Sequence, residues 1–217
     1  MKTGVAISVI GAGLGTLGGG GLLVNHFFLR SSVIDVLTGK GHTFLSFEKD
    51  GDLATWKTIA KAYHSSTKNR LGDLKVTLAE GDQSTTDQSA KDLRKACKEV
   101  IDSKGYTDAT LLSAEQWCVK PITIKELIGK HRKVLSLDIN TDENQPEWNK
   151  KVEDYLRDGA KNKIPSTTLT ARTENNNTKE NRKKLKTDCN TLTGKKTHDA
   201  NFHENYSQFN EWCTVSK

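Results

Sequence analysis

The chain has 217 residues, of which 34% are hydrophobic and 28% are charged, and its formal net charge is +6. This length allows one large domain or two small ones, and so polar a composition requires crosslinks or extensive loops around a small core. Basic runs such as Arg182, Lys183 and Lys184 are interleaved with Asp and Glu, and no basic stripe alternates with aromatic residues, so we expect no nucleic-acid partner.

The first thirty residues form an apolar segment. Between Thr3 and Leu29 there is no Asp, Glu, Lys or Arg, and one basic residue flanks the stretch on each side. About 20 apolar residues are enough for a helix to span a bilayer, and the same pattern is typical of an export signal. No small-residue cleavage site is evident. We therefore expect an uncleaved signal-anchor over residues 1–30, which crosses the cell membrane once, contacts the lipid bilayer through residues 4–29 and leaves the bulk of the chain extracellular.

The same segment supports an alternative, an intracellular dinucleotide-binding protein. Gly13, Gly15 and Gly18 form a GxGxxG pattern after an apolar run, and Asp35 lies about where such folds place the acid that binds the ribose. Four consecutive glycines begin at Gly18, however, and each costs a helix roughly 1 kcal/mol relative to Ala. The strand required over 33–37 aligns with a second copy that has no glycine loop, and no series of strands and helices follows.

The remainder of the chain contains one internal duplication, which sets its domain organisation. A first unit over residues 31–120 and a second over 121–217 each close with a Trp-Cys pair. The predicted fold is mainly α (or α+β with short strands): an N-terminal transmembrane helix followed by two tandemly duplicated small helical units. The residues that recur 90 to 92 positions later are Ile34, Leu37, Gly39, Lys40, Leu45, Ser46, Trp56, Tyr63, Leu93 and Cys97, matched by Ile124, Leu127, Gly129, Lys130, Leu135, Ser136, Trp148, Tyr155, Leu185 and Cys189.

Each unit opens with a signal for a short helix. Ser32 and Thr123 are each followed three residues later by an acid, which is the spacing of a capping box. In the second unit, apolar residues on one helical face predict that the helix continues over 124–135. In the first unit, glycines interrupt the same stretch, which predicts a helix ending near Gly39 and an extended segment over 44–47.

Two longer helices follow in each unit. The first carries a Trp and a Tyr seven residues apart, beginning at Trp56 and Trp148, and Pro146 suits the first turn of the second copy. The next is a charged helix, predicted over 89–100 and 178–192. Each of these helices carries a Leu four residues before its cysteine.

A short final helix is expected to end at each Trp-Cys pair. In the first unit, Ser113 and Gln116 have the spacing of a further capping box. The polar stretch before the second charged helix is expected to be poorest in structure over 173–178, which contains three asparagines.

The four cysteines are paired in their spacing. Cys97 and Cys118 are 21 residues apart, and Cys189 and Cys213 are 24 apart. Four cysteines permit three connectivities, and the duplication makes pairing within each unit the simplest. Each such loop would stabilise the fold by about 3 kcal/mol, and it requires an oxidising exterior. The alternative is buried free thiols at equivalent core positions; zinc ligation is disfavoured because no close C-x-x-C or C/H spacing occurs.

The sequence predicts no catalytic, cofactor-binding or metal site, and we expect a protein that is not an enzyme. No hydrolase, zinc-protease or P-loop motif occurs, and His198 and His203 are five residues apart, which does not bring them to one helical face. The helical spacing of the large aromatic residues indicates structural anchors in a core rather than a ligand cage. These anchors are Trp56, Tyr63, Trp117, Trp148, Tyr155 and Trp212.

Several short motifs together resemble a known group of proteins. They are an I-x-x-L-x-G-K…L-S opening, a W-x6-Y helix, an L-x3-C and a closing W-C, and the similarity is clearest over 136–155 and in the ending at Trp212 and Cys213. The chain is similar over nearly its whole length to the uncharacterised paralogous families of haemotropic mycoplasmas, wall-less bacteria that attach to red blood cells. The resemblance implies a membrane-anchored, surface-exposed protein, and such families are proposed to supply variable antigens.

The functional expectation is a non-enzymatic, membrane-anchored surface protein for antigenic display or host-cell interaction, with an antibody or the host-cell surface as partner. A second hypothesis is an adhesin that binds a red-cell ligand through the basic outer face. The third is the dinucleotide-binding protein described above.

Overall fold

The structure is a computed structural model that describes residues 32–48, 51–79, 83–103, 105–170 and 175–217, with the side chains of 175–177 excepted. The signal-anchor predicted over residues 1–30 and the GxGxxG pattern lie outside the described residues. Within these ranges, no helix has the length and apolar character needed to cross a membrane.

The described part of the chain is mainly helical, which confirms the predicted fold class at that level. It contains eight helices and one small sheet of two strands. In chain order the elements are α1 (Val33–Gly39), α2 (Leu53–Ser65), α3 (Gln83–Asp102), α4 (Asp108–Trp117), α5 (Ile124–Gly129), β1 (Arg132–Val134), α6 (Gln145–Leu156), α7 (Asn175–Thr193), α8 (Phe202–Trp212) and β2 (Thr214–Ser216).

Both predicted capping boxes are present at the start of α1 and α5. The Ser32 hydroxyl accepts a hydrogen bond from the Asp35 backbone N–H, and the Asp35 carboxylate accepts one from the Ser32 N–H at 3.0 Å. Thr123 and Glu126 make the same two bonds. These reciprocal bonds satisfy backbone donors that the first turn of a helix leaves unpaired, so they fix where each unit begins.

The duplication is shifted by one residue at these caps. The repeat pairs Ile34 with Ile124, but Ile34 is 40% exposed, whereas Ile124 is fully buried. Val33, the residue directly after the cap in the first unit, is the one that enters the core. The two units therefore align at their first helix with an offset of 91 residues, because the cap and not the isoleucine sets the register.

The helix predicted over 124–135 is wrong in its second half. α5 ends at Gly129, and β1 pairs antiparallel with β2. The backbone of β1 forms its hydrogen bonds with β2, some 80 residues later in the chain. The helical spacing of nearby apolar residues cannot indicate so distant a partner. The first unit keeps the same arrangement in reduced form, since α1 ends at Gly39 as predicted and Phe44 forms a single β-bridge with Val119.

The two middle helices of each unit are present as predicted, and the charged ones are longer than the sequence indicated. α2 and α6 carry the Trp and the Tyr on their buried face, with Pro146 in the first turn of α6. α3 and α7 extend beyond 89–100 and 178–192 at both ends.

Two local predictions need correction. Ser113 does not cap a helix: α4 begins earlier, after Thr107, and the Ser113 hydroxyl donates inside the helix to the Ala109 carbonyl at 2.8 Å. The Thr107 hydroxyl, which accepts from the Thr110 N–H, is the cap that the periodicity missed. The stretch expected to be poorest in structure is partly helical, because α7 begins at Asn175.

The hydrophobic residues form two separate clusters. One contains the buried residues from Val33 to Val119, the other those from Ile124 to Cys213, and within the described ranges they share no member. Each cluster is built around two buried Trp and one Tyr. The division of the chain into units over 31–120 and 121–217 stays a prediction.

Candidate functional site

The six aromatic anchors occupy matching places in the two cores. Trp56 donates its indole N–H to the carbonyl of Ser46, and Trp148 donates to the carbonyl of Ser136, both at 3.0 Å. A buried indole N–H needs such a partner, and here the partner is the main chain of the segment before the helix. These two rings therefore connect each core to its first loop.

The remaining anchors fix a second loop in each unit. Tyr63 and Trp117 pack edge-to-face with ring centroids 5.1 Å apart, and Tyr155 and Trp212 do so at 4.6 Å. Trp117 donates to the carbonyl of a left-handed asparagine at 2.6 Å, and Trp212 does the same at 2.7 Å. All six rings are at most 3% exposed. They belong to the interior and present no face to a ligand.

The cysteines form the two disulfides that the spacing favours. Cys97 is bonded to Cys118 with Cα atoms 5.3 Å apart, and Cys189 is bonded to Cys213 with Cα atoms 5.8 Å apart. Each bond ties the long charged helix of its unit to the residue that follows the final helix. All four cysteines of the chain lie in the described ranges and none is free, so the thiol and zinc alternatives do not apply.

The residues described around Asp35 do not support the dinucleotide alternative. The segment 33–37, which would have to be its second strand, lies in α1. The Asp35 carboxylate accepts hydrogen bonds from Ser32, which lower its pKa, and is thereby engaged as a helix cap. The only sheet in the described residues is antiparallel with two strands, whereas the alternative requires a parallel sheet.

The most unusual polar group in the described structure is Glu115 on α4. Its side chain is only 7% exposed, and its carboxylate oxygens lie 2.9 Å from Lys40 Nζ and 2.9 Å from His42 Nε2. His203 on α8, in the second unit, places Nδ1 3.9 Å from the same carboxylate. We name Lys40, His42, Glu115 and His203 the charged junction, because they bring both units to one carboxylate.

The electrostatics of the charged junction follow from its burial. Burial alone would raise the pKa of Glu115, but the hydrogen bond from His42 and the charge of Lys40 outweigh it and lower the pKa to about 2. Glu115 is thus ionised throughout the physiological range. A buried carboxylate is tolerated only when it is paired and hydrogen-bonded, and here it has both.

Further polar contacts between the units surround the charged junction. Lys68 donates to the Glu204 carboxylate at 2.6 Å and to Asn201 at 2.8 Å. The Gln116 side-chain amide donates to the Asp199 carbonyl at 3.2 Å. Lys130 Nζ reaches the Gly41 carbonyl, and His203 Nε2 lies 3.1 Å from the Leu112 carbonyl. Each of these contacts is a hydrogen bond that crosses between the units.

The charged junction is better suited to holding the units together than to chemistry. The His42 side chain is 0% exposed, so a substrate has no access to it. Its Nδ1 is buried and has no hydrogen-bond partner. In the part of the chain that the structure describes, no group of His, Cys, Asp and Glu could hold a metal ion. A paired, enclosed carboxylate instead gives the interface one defined geometry.

The sequence contains one signal for the charged junction, which is a difference between the two copies of the repeat. Glu115 corresponds to Asn210 in the second copy, and His42 corresponds to Arg132. In the second unit Arg132 Nε donates instead to Thr214 at 2.7 Å. The junction therefore occurs once, at positions where the two copies differ, and residues shared by the copies do not indicate it.

Two histidines make the stability of the fold dependent on pH. Burial lowers the pKa of both His203 and His198, and the opposing charges of Glu115 and Asp199 only partly offset this. Above about pH 6.5 both rings are neutral in the folded and the unfolded chain. Below it the unfolded chain takes up protons that the folded chain resists, so the free energy of unfolding falls as the pH decreases.

We expect the urea midpoint to decrease between pH 7 and pH 5, measured by tryptophan fluorescence. The variant His198→Gln/His203→Gln should lose most of that dependence, because glutamine does not titrate. A wild-type midpoint that is flat over this range would contradict the assignment.

Comparison of the chain with protein-family models, with curated proteins and with solved structures gives no match. Its class is therefore defined here by its own architecture, two disulfide-closed helical units joined through a charged junction.

Proposed function

We propose that the chain is a non-enzymatic, membrane-anchored surface protein whose two helical units lie outside the cell. The observation that carries this proposal is the pair of disulfides, Cys97–Cys118 and Cys189–Cys213. Such bonds form and persist in oxidising surroundings and are rare in the cytosol. The apolar segment 4–29 supplies an export signal and a membrane anchor that fit the same extracellular location.

The composition of the units supports the same proposal. With 34% hydrophobic residues in the whole chain, and many of those in the first thirty positions, each unit has a small core that benefits from a covalent closure. The role proposed for the displayed units is antigenic display or host-cell contact, in line with the resemblance to the mycoplasma families. Within the charged junction, the His42 and Glu115 side chains are 0% and 7% exposed, which supports a structural role for this pair over a catalytic one.

Brief trypsin treatment of intact source cells tests the location. The chain has 33 Lys and Arg residues, so exposed units should release peptides from residues 31–217 while cytosolic markers remain intact. Full protection of these residues, with cleavage after the cells are lysed, would place the units inside and overturn the proposal.

A thiol assay on the same cells tests the redox state separately. When cells are lysed in denaturant with a maleimide reagent present, the cysteines should remain unlabelled until a reductant is added. Immediate labelling of all four would show reduced thiols in the cell and remove the main support for the extracellular address.

A further inference from the structure

A groove opens on the second unit, away from the charged junction. It has a volume of about 620 Å³ and lies between α5 and the two-stranded sheet. We name it the basic groove. It is lined by Lys125, Glu126, Gly129, Arg132, Lys133, Val134, Ser216 and Lys217.

The charged residues that line the basic groove are mostly basic. Four of its lining residues are basic, and its single acid, Glu126, is engaged by the Thr123 hydroxyl at 2.7 Å and by the Thr123 N–H at 3.1 Å. Those hydrogen bonds, together with the nearby charges of Lys130 and Lys196, lower the pKa of Glu126. The side chains that line the groove thus comprise four basic residues and one acid, which gives the lining an excess of positive charge.

The chemistry of the lining limits what can bind. Among the described residues that line the groove none is aromatic, so nucleic-acid bases have no ring on which to stack. Val134 is its only large apolar side chain, so an acyl chain or a hydrophobic peptide anchor has no pocket. Acidic peptide motifs are usually read by arginine clusters. Here there is one arginine, Arg132, and its Nε already donates to Thr214.

The remaining basic side chains are lysines, which bind anions as point charges and not with the planar, bidentate geometry of arginine. Lys125 and Lys133 are exposed, whereas Lys217 Nζ donates to the backbone carbonyls of Gly129 at 2.9 Å and Lys130 at 3.1 Å. Such a lining suits many anionic groups spaced along a flexible polymer, with affinity that comes from charge and decreases with salt. We propose that the basic groove binds a sulfated polysaccharide. The availability of such a ligand rests on the extracellular location proposed above; the binding itself does not.

The test uses the full-length chain in a neutral detergent and a heparin octasaccharide as the probe, with titration calorimetry at 50 and 200 mM NaCl. We expect a dissociation constant on the order of 10 μM at the lower salt and clear weakening at the higher salt. The variant Lys125→Gln/Lys133→Gln should bind at least about tenfold more weakly, because two exposed charges of the groove are lost.

The matched control is Lys61→Gln/Lys91→Gln, which removes the same charge from exposed positions on α2 and α3 in the first unit. It should bind within about twofold of wild type. If both variants bind the octasaccharide equally weakly, the attraction comes from net charge alone, and the proposal that the basic groove is the binding site is overturned. Absence of wild-type binding would also overturn the proposal, as would equally tight binding of a glutamate octapeptide.

This outcome is separable from that of the surface-protein proposal. Binding of the octasaccharide by purified protein, combined with full trypsin protection on cells, would support the groove proposal and contradict the extracellular location. Peptide release from cells without octasaccharide binding would support the extracellular location and contradict the groove proposal.

Discussion

Replacement of Glu115 by glutamine should lower the free energy of unfolding by about 2 kcal/mol, because two hydrogen bonds to a charged acceptor are lost in a buried position. In Glu115→Gln the Lys40 ammonium loses its carboxylate, and His42, with a side chain that is 0% exposed, loses the group that holds its Nε2. The measurement is urea unfolding at pH 7, followed by tryptophan fluorescence.

The pH profile of the same variant provides an independent readout. The wild-type pKa of about 2 is below the ordinary value of 4.5, so Glu115 contributes stability above about pH 4.5 that is lost as the pH falls towards 2. Glu115→Gln should lack this acid-dependent loss. A wild type and variant with parallel profiles over this range would contradict the low pKa.

A matched control for this substitution is Glu153→Gln. Glu153 lies on α6 at an exposed position, and surface substitutions of this kind usually change stability by less than about 0.5 kcal/mol. Equal destabilisation by both variants would mean that loss of negative charge in general, and not the charged junction, is responsible.

Removal of either disulfide should cost about 3 kcal/mol, because loops closed over 21 and 24 residues restrict the unfolded chain to a similar degree. The variants are Cys97→Ala/Cys118→Ala and Cys189→Ala/Cys213→Ala, and the measurement is differential scanning calorimetry of each. Because the two hydrophobic clusters share no member in the described residues, each variant should show two transitions, with only the altered unit moved to lower temperature.

A single transition that shifts as a whole in both variants would contradict independent units and would mean that the charged junction couples them strongly. The control is wild-type protein with a mild reductant at neutral pH without denaturant. Since all four cysteines are 0% exposed, the bonds should persist in the folded protein, and a thermogram recorded after removal of the reductant should not change. Rapid reduction under these conditions would contradict their burial.

The sequence predicted the parts of the fold that depend on local chemistry. The capping boxes at Ser32 and Thr123 and the Trp-Tyr helices depend on residues within two turns of each other, and they are present. β1 was assigned to a helix because its hydrogen-bond partners in β2 lie about 80 residues away. At the first helix, burial follows the cap and not the residue type, so Ile34 is exposed although its repeat partner Ile124 is buried.

No sequence motif predicts the charged junction, for a related reason. Lys40, Glu115 and His203 are brought together by the packing of α1, α4 and α8, and their spacings have no period that a motif search recognises. The disulfide pairing was accessible because duplication reduced three connectivities to one simplest choice. The internal repeat thus indicated the elements and disulfides that both units have. The charged junction is formed by residues in which the two units differ.

The bonds that fix the loops have a consequence for sequence drift. Trp56 and Trp148 hold their loops through the carbonyls of Ser46 and Ser136, and Tyr155 donates to the carbonyl of Ile164. A carbonyl is present whatever the side chain, so many substitutions in these loops leave the supporting bond intact. Substitutions in these loops therefore cost little in folding stability, whereas truncation of one of the buried indole rings should cost about 3–5 kcal/mol.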